Sequence, residues 1–386
     1  MSIMFFKPAV PAVLLSTLLL AFTLPSDSHA KQSGKQARKP AVQGAKLRKV
    51  SVNPDEAGEF ANFTQWAEVA GFIDQMVEKH GFDRSVLEST FRKVRYIDTA
   101  IQLVKPAPPG RPKNWRAYRS RFIEPVRINA GAAFWEEHSD ALARAEERFG
   151  VPAEIIVGII GVETVYGRNT GNFRVLDALT TLAFDYPDTP NRAARKAFFR
   201  GEVENTLLLA RDTGIDPFSL FGSYAGAVGW PQFMPGSIRK FAVDFDGDGK
   251  VDLRTSPVDA IGSVANFLVQ HGWKSGEPIA FPATLAAAEP GRSWEMFIGQ
   301  GLEAKFRLDE LKAAGVVPTA EPPSDMLFGL VDLQNGGEPT EYWLGANNFF
   351  SITQYNRSFF YAMSVVELGR AVRAARGHCS GLSVNP

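Results

Sequence analysis

The chain has 386 residues, enough for two or more packed units with cores of their own. Apolar residues make up 45% and charged residues 22%, the balance of an ordinary soluble globular protein. Its 42 basic residues match 42 acidic ones, so no net charge draws the chain to nucleic acid and no such partner is expected.

At the N-terminus Lys7 precedes the apolar stretch Ala9–Leu24, and Ser28-His29-Ala30 places small residues where a signal peptidase reads. Residues 1–30 therefore read as a secretory signal cleaved after Ala30. The apolar core is short and bracketed by Pro8, Pro11 and Pro25, which argues against a retained membrane span. No Cys lies near the cut, so no lipid anchor on a new N-terminal Cys is expected. Cys379 is the only cysteine, and stability must come from the core without an intramolecular disulfide. Residues 31–54 carry seven basic residues (Lys31, Lys35, Arg38, Lys39, Lys46, Arg48 and Lys49) and no acidic one. Such a segment reads as a disordered linker. It suits an anionic envelope polymer or membrane surface, and equally a solvated spacer.

Residues 55–150 form an N-terminal helical region. Phe63, Trp66, Val69, Phe72/Ile73 and Met76/Val77 recur at helical spacing, and His80-Gly81-Phe82 turns the chain into a second helix ending near Phe91. Ile101–Asn114, rich in Pro and Gly, reads as a surface loop. Helices resume through Tyr118–Phe149. The run Ile155–Gly167 is apolar on every face, with Pro152 at its start and Gly167 beyond its end, and so predicts a buried helix. Further helices are expected at Arg192–Thr213, Val258–His271 and Ser358–Arg376. Between them, residues 274–350 change texture: Met326–Leu333 and Glu341–Leu344, joined through Asn335-Gly336-Gly337, read as a hairpin. The expected class is α+β, mainly α, with residues 151–273 as a core unit, a small β-rich domain at 274–350, and a C-terminal helix in 351–386 returning to the core.

Glu163 is the one carboxylate in the IIVGIIGVETVYG run. Desolvation there raises a carboxyl pKa and keeps the group protonated nearer neutrality, as a general acid requires. A structural Glu bonded to a neighbouring helix end fits the same run. Leu220–Ser237, LFGSYAGAVGWPQFMPGS, reads as an ordered loop whose aromatic rings and polar Ser223 and Gln232 suit a sugar. Asp244, Asp246, Asp248, the Lys250 carbonyl and Asp252 follow EF-hand ligand spacing, with Gly249 at the sixth position and Thr255 in place of the twelfth-position Glu. The spacing suits a weakly held structural calcium ion, with a sodium-occupied or empty acidic turn as the alternative. In Asn347–Tyr361, Tyr355 and Asn356 sit just before a helix and Tyr361 is expected one to two turns into it, where they can face a cleft or belong to the core.

These motifs, in this order, resemble the B-type lytic murein transglycosylases over about Phe60 to Arg376. That resemblance implies a lysozyme-like catalytic core flanked by a helical domain and a small β domain. It implies that Glu163 is the catalytic acid/base and that Tyr118, Arg195, Ser223, Gln232, Tyr355, Asn356 and Tyr361 bind substrate. It further implies a soluble periplasmic protein acting on peptidoglycan glycan strands with no catalytic cofactor, expected to be a monomer and to meet cell-wall synthesis or remodelling proteins. The reaction implied is cleavage of the β-1,4 bond between N-acetylmuramic acid and N-acetylglucosamine to leave 1,6-anhydro ends. A non-catalytic peptidoglycan-binding or scaffold protein on the same fold is the alternative.

Overall fold

The structure, a computed structural model, describes residues 63–106, 112–287, 291 and 293–380; the signal and linker readings at 1–54 lie outside them. In chain order the helices are α1 Ala67–His80, α2 Arg84–Lys93, α3 Asp98–Val104, α4 Trp115–Arg119, α5 Pro125–Glu137, α6 Ser139–Phe149 and α7 Ala153–Thr164. They continue as α8 Val175–Phe184, α9 Arg192–Thr213, α10 Pro235–Phe241, α11 Pro257–Gln270, α12 Leu308–Ala313, α13 Asn347–Thr353 and α14 Phe359–Ser380. The strands are β1 Phe173–Arg174, β2 Phe221–Gly222, β3 Ala280–Leu285, β4 Phe306–Arg307, β5 Val316–Pro318, β6 Leu327–Asn335 and β7 Glu338–Gly345. Helices dominate, and the fold is α+β with one substantial sheet. Among the described residues no helix is long and apolar enough to cross a membrane.

Helix α7 is the axis of the first core. Residues Ile155 to Ile160 are all buried, so the run is covered on every side, as its unbroken apolar sequence demands. It packs chiefly on α14, and also on α5, α6 and α11. Gly158 and Gly369 permit that close crossing: a Cβ on either would stand 2.3 Å from the Val365 carbonyl oxygen or 2.1 Å from that of Glu154.

A second core joins α1–α3 to α8, α9 and the start of the Leu220–Ser237 loop through Phe72, Phe91, Leu179, Phe199 and Tyr224. The chain therefore does not divide in space at residue 150. Residues 63–104 share a core with 175–228, whereas Trp115, Phe134, Leu142 and their neighbours pack around α7. Helix α8 was not anticipated. Its ten residues are all buried and show little polar punctuation from which to read a boundary.

The third core lies under a five-stranded sheet of order β4-β6-β7-β3-β5. Strands β6 and β7 form the expected hairpin, with Asn335 paired to Glu338 across Gly336-Gly337. Gly336 has φ 67°, the left-handed value a two-residue hairpin turn requires. The face of β6 bearing Val331 and Leu333 packs on the α7 core, which couples the sheet to it.

Elsewhere the boundaries moved. The expected Ile101–Asn114 loop begins inside α3, whose apolar Ala100 and Ile101 are buried. The expected Tyr118–Phe149 stretch is three helices, the second opened by Pro125 and capped by the Glu124 carboxylate, which accepts from the Val126 and Arg127 N–H groups. Tyr361 is the third residue of α14 rather than a turn or two within it.

Candidate active site

The end of α7 builds the site. The helix stops at Thr164, and Val165, Tyr166 and Gly167 follow with φ of 52°, 55° and 80°. Glu163 thus sits in the last turn, two residues nearer the helix end than its apolar run implied. Thr164 is fully buried; its hydroxyl donates to the Trp230 carbonyl at 2.9 Å and accepts from the Gly167 N–H at 3.0 Å. Gly167 lies against the Trp230 indole, where a Cβ would approach to 2.7 Å. The Arg127 guanidinium donates to the Gly161 and Val162 carbonyls at 3.0 and 3.4 Å, capping the helix end from α5.

Glu163 keeps some accessible surface although its carboxyl is enclosed by protein. Burial pushes its pKa up to about 7, partly offset by the Tyr361 hydroxyl, which donates to Oε1 at 2.7 Å. A helix C-terminus also disfavours a negative charge. No second carboxylate contributes to the shift among the described residues.

Tyrosines surround this acid. Burial is the main cause that raises Tyr118 to about 12 and Tyr355 and Tyr361 well above their ordinary value, and the charge of Glu163 adds to each. All three remain neutral hydrogen-bond donors at physiological pH. Tyr355 stacks on Tyr361 with ring centroids 6.2 Å apart and donates to the Pro231 carbonyl at 2.5 Å. Tyr118 comes from α4, packed on Trp115, Phe122 and Phe360. Next to Tyr355, the Asn356 Oδ1 is buried and has no hydrogen-bond partner among the described residues.

The Leu220–Ser237 loop is ordered from within. Ser223 donates its N–H to the Ala227 carbonyl at 2.8 Å, and its Oγ accepts the Ala227 N–H at 3.0 Å. Gln232 has left-handed backbone, φ 51°, and its Nε2 donates to the Gly229 and Thr170 carbonyls at 2.9 and 3.2 Å. Thr164, Trp230 and Pro231 dock this loop on α7 and Tyr355. Arg195 lies on α9, half-buried, with its charge acting on Tyr186.

The acidic loop differs from its sequence spacing. Asp244, Asp246 and Asp259 converge, one oxygen of each within 4.8 Å of the others. Asp248 accepts from the Lys250 N–H, and Asp252 accepts from the Arg254 and Thr255 N–H groups and the Thr255 hydroxyl; neither stands within that group of three. Lys250 is exposed on the same turn. Sequence reasoning missed Asp259, which stands three residues after Ser256, the N-cap of α11, and reads as an ordinary helix-start acid. Its buried carboxylate accepts from the N–H groups of Phe245, Asp246 and Asp252, tying α11 to the loop.

Residues 62–370 match the family model described as the transglycosylase SLT domain. The chain is 44% identical over 328 residues to the membrane-bound lytic murein transglycosylase B of Escherichia coli, covering 83% of this chain and 85% of that protein. Among solved structures it is similar to the soluble lytic transglycosylase SltB1 of Pseudomonas aeruginosa, with 46% identity, TM-score 0.72, and coverage of 80% of this chain and 99% of the other. It is likewise similar to an Escherichia coli lytic transglycosylase solved in complex with calcium, with 42% identity, TM-score 0.72, and coverage of 84% and 99%.

Proposed function

We propose a single-carboxylate mechanism for this chain, which belongs to the transglycosylase SLT family. The protein is a peptidoglycan lytic transglycosylase with a lysozyme-like fold, a lyase rather than a hydrolase. The observation that carries the mechanism is the state of Glu163: a carboxyl with pKa near 7, bonded to Tyr361 and, among the described residues, without a second acid acting on it. Most glycosidases flank the bond with two carboxylates. One suffices if the nucleophile is the sugar's own hydroxyl.

Protonated Glu163 gives its proton to the oxygen of the β-1,4 bond between N-acetylmuramic acid and N-acetylglucosamine, and the bond to the anomeric carbon breaks. As carboxylate, Glu163 then takes the proton of the muramyl C6 hydroxyl while that oxygen bonds to the anomeric carbon. The acid returns protonated, no water is consumed, and the strand ends in a 1,6-anhydro sugar. Tyr118, Tyr355 and Tyr361 offer neutral donors around the developing charge. Asn356 Oδ1 suits an amide N–H such as that of an N-acetyl group, and Ser223 and Gln232 shape the facing loop. Arg195, which the family resemblance implies is a substrate residue, is assigned to the glycan strand without a role in the chemistry.

Asp244, Asp246 and Asp259 present hard oxygen donors of the kind calcium takes. We assign them a calcium ion that would stabilise the joint between the loop and α11 and take no part in the chemistry. The protein acts in the periplasm as a monomer, reached through the residue 1–30 signal, beside the enzymes that build and remodel the wall.

The decisive experiment digests purified peptidoglycan in water labelled with heavy oxygen and reads the products by mass spectrometry. Unlabelled 1,6-anhydro ends that resist borohydride are expected. Labelled, reducible ends would mean hydrolysis, and intact glycan that only co-sediments with the protein would mean a binding module.

A further inference from the structure

Tyr118, Tyr355 and Tyr361 about Glu163 all lie outside the five-stranded sheet, yet the tip of its β6–β7 hairpin reaches the segment that carries Tyr118. Asn335, at the end of β6, is 2% exposed, a buried polar side chain in a hairpin tip. Its Oδ1 accepts the Arg116 N–H at 3.0 Å, and its Nδ2 donates to the Pro339 carbonyl at 3.1 Å and to Glu341 Oε1 at 3.4 Å. Beside it the Gly336 N–H donates to the Lys113 carbonyl at 2.9 Å, Asn114 bridges Asn335 in antiparallel fashion, and Arg116 pairs with Glu338.

The recipient, α4, has only five residues. So short a helix has no stability of its own, and its first N–H groups need acceptors. Asn114, its own cap, serves the Ala117 N–H at 2.9 Å. Asn335 serves Arg116 from another part of the chain. The far end of α4 is held by the Arg119–Glu367 ion pair to α14. Tyr118 lies between these two anchors, and its phenol feels the charge of Glu163.

We propose that Asn335 is a positioning residue for the active site, fixing α4 through Arg116 and so holding Tyr118 at the wall of the cleft beside Glu163. The sheet then serves the reaction as a clamp. This rests on Tyr118 being a substrate-contacting residue of the transglycosylase site. Asn335→Ala leaves the Arg116 N–H without its acceptor and lets α4 drift, and a displacement of about 1 Å at a reacting site costs on the order of a hundredfold in rate. Asn335→Asp keeps the acceptor oxygen but loses the donor to Pro339 and Glu341 and sets a second carboxyl beside Glu341, a cost to stability that leaves the Arg116 contact in place and so separates the two effects.

The test is a cycle of Asn335→Ala, Tyr118→Ala and their double variant, assayed on soluble oligomers of alternating N-acetylglucosamine and N-acetylmuramic acid, with melting temperatures alongside. Asn335→Ala is expected to lower kcat/KM by about ten- to a hundredfold. In the Tyr118→Ala background the same change should lower it by less than about twofold, because the residue through which it acts is gone. Asn335→Asp should melt lower than wild type yet keep most of its kcat/KM. Additive losses, or a folded Asn335→Ala with unaltered kcat/KM, would overturn the clamp. If Asn335→Ala does not fold, Asn335→Ser, whose hydroxyl is too short to reach the Arg116 N–H, runs in both backgrounds, and either an unaltered kcat/KM or a loss that persists without Tyr118 is then the refuting result. Wild-type protein that makes no anhydro-ended product would overturn the clamp together with the function it serves, whereas additive losses in an active wild type overturn the clamp alone.

Discussion

Replacing Glu163 with Gln should do two separable things: abolish turnover and stabilise the fold in a pH-dependent way. The first follows from loss of the proton donor, worth at least about a hundredfold in rate. The second follows from burial. Below pH 4.5 the carboxyl is protonated in both folded and unfolded chains and its ionisation costs nothing. Between 4.5 and about 7 the unfolded chain releases the proton while the folded chain retains it. The folded state therefore loses about 1.4 kcal/mol for each pH unit across that interval. Above about 7 both forms are ionised and the loss is complete, near 3 kcal/mol, an upper value because the residue keeps some contact with solvent. Gln is neutral throughout. Glu202 is a second buried carboxyl raised to about 7, and Asp177 and Glu367 are raised as well, so the wild-type slope alone mixes several groups. The difference between wild type and Glu163→Gln isolates one. Urea unfolding of both proteins at pH 4.5 and pH 8 reads it directly: the variant should gain about 3 kcal/mol on the wild type between these pH values. An equal difference at both would show that Glu163 titrates as an ordinary carboxylate and would remove the argument for it as the acid.

Tyr361→Phe deletes the hydroxyl that lowers the Glu163 pKa, so the alkaline limb of the kcat/KM profile should move up by about one pH unit as the rate falls; an unmoved limb would place the titrating group elsewhere. Calcium added to chelator-treated protein should raise the melting temperature, and Asp259→Asn should silence that response; a response kept in full would deny Asp259 a place among the ligands. Thr164→Val keeps the shape but loses the hydroxyl's bonds to Trp230, Gly167 and Ile160, and should cost about 1–3 kcal/mol in stability by urea unfolding together with a lower kcat; wild-type stability would mean the contact to Trp230 is replaceable.

The buried helix around Glu163 was legible because burial on all faces leaves an unmistakable apolar run, and α9 was legible to its last residue because Gly214 closes it in the left-handed conformation. The hairpin was legible from its turn glycines. The unread parts share one physical reason, that their partners are distant in sequence. Asp259 looks like a helix-start acid until the loop folds back on it. The exchange by which residues 63–104 pack with 175–228 leaves no local trace. Thr164 bonds to a carbonyl 66 residues away and no periodicity announces it. Asp248 and Asp252 stand apart from the Asp244, Asp246 and Asp259 group, their oxygens turned to backbone N–H groups of their own turn, an arrangement that ligand spacing alone does not announce.

The residues after Glu163 show how much structure is spent on placing one carboxylate. Val165 and Tyr166 hold left-handed backbone conformations, which cost a non-glycine residue about 1–2 kcal/mol each, and more for β-branched valine. Such strain persists only where the surroundings over-determine it. Here they do: the Val165 N–H closes on the Gly161 carbonyl at 3.2 Å, the Asn169 N–H on the Thr164 carbonyl at 3.0 Å, and Thr164 and Gly167 lock to Trp230. A relaxed helix would run on past Glu163 and leave its carboxyl on a helix flank. The abrupt stop instead leaves the acid at a terminus, where the helix dipole and burial both oppose its ionisation, while Tyr361 limits the shift by a single bond. A group that must both give and take a proton works best with a pKa near the ambient pH. The strained turn and the apolar helix behind it are therefore two parts of one device for holding Glu163 near pKa 7.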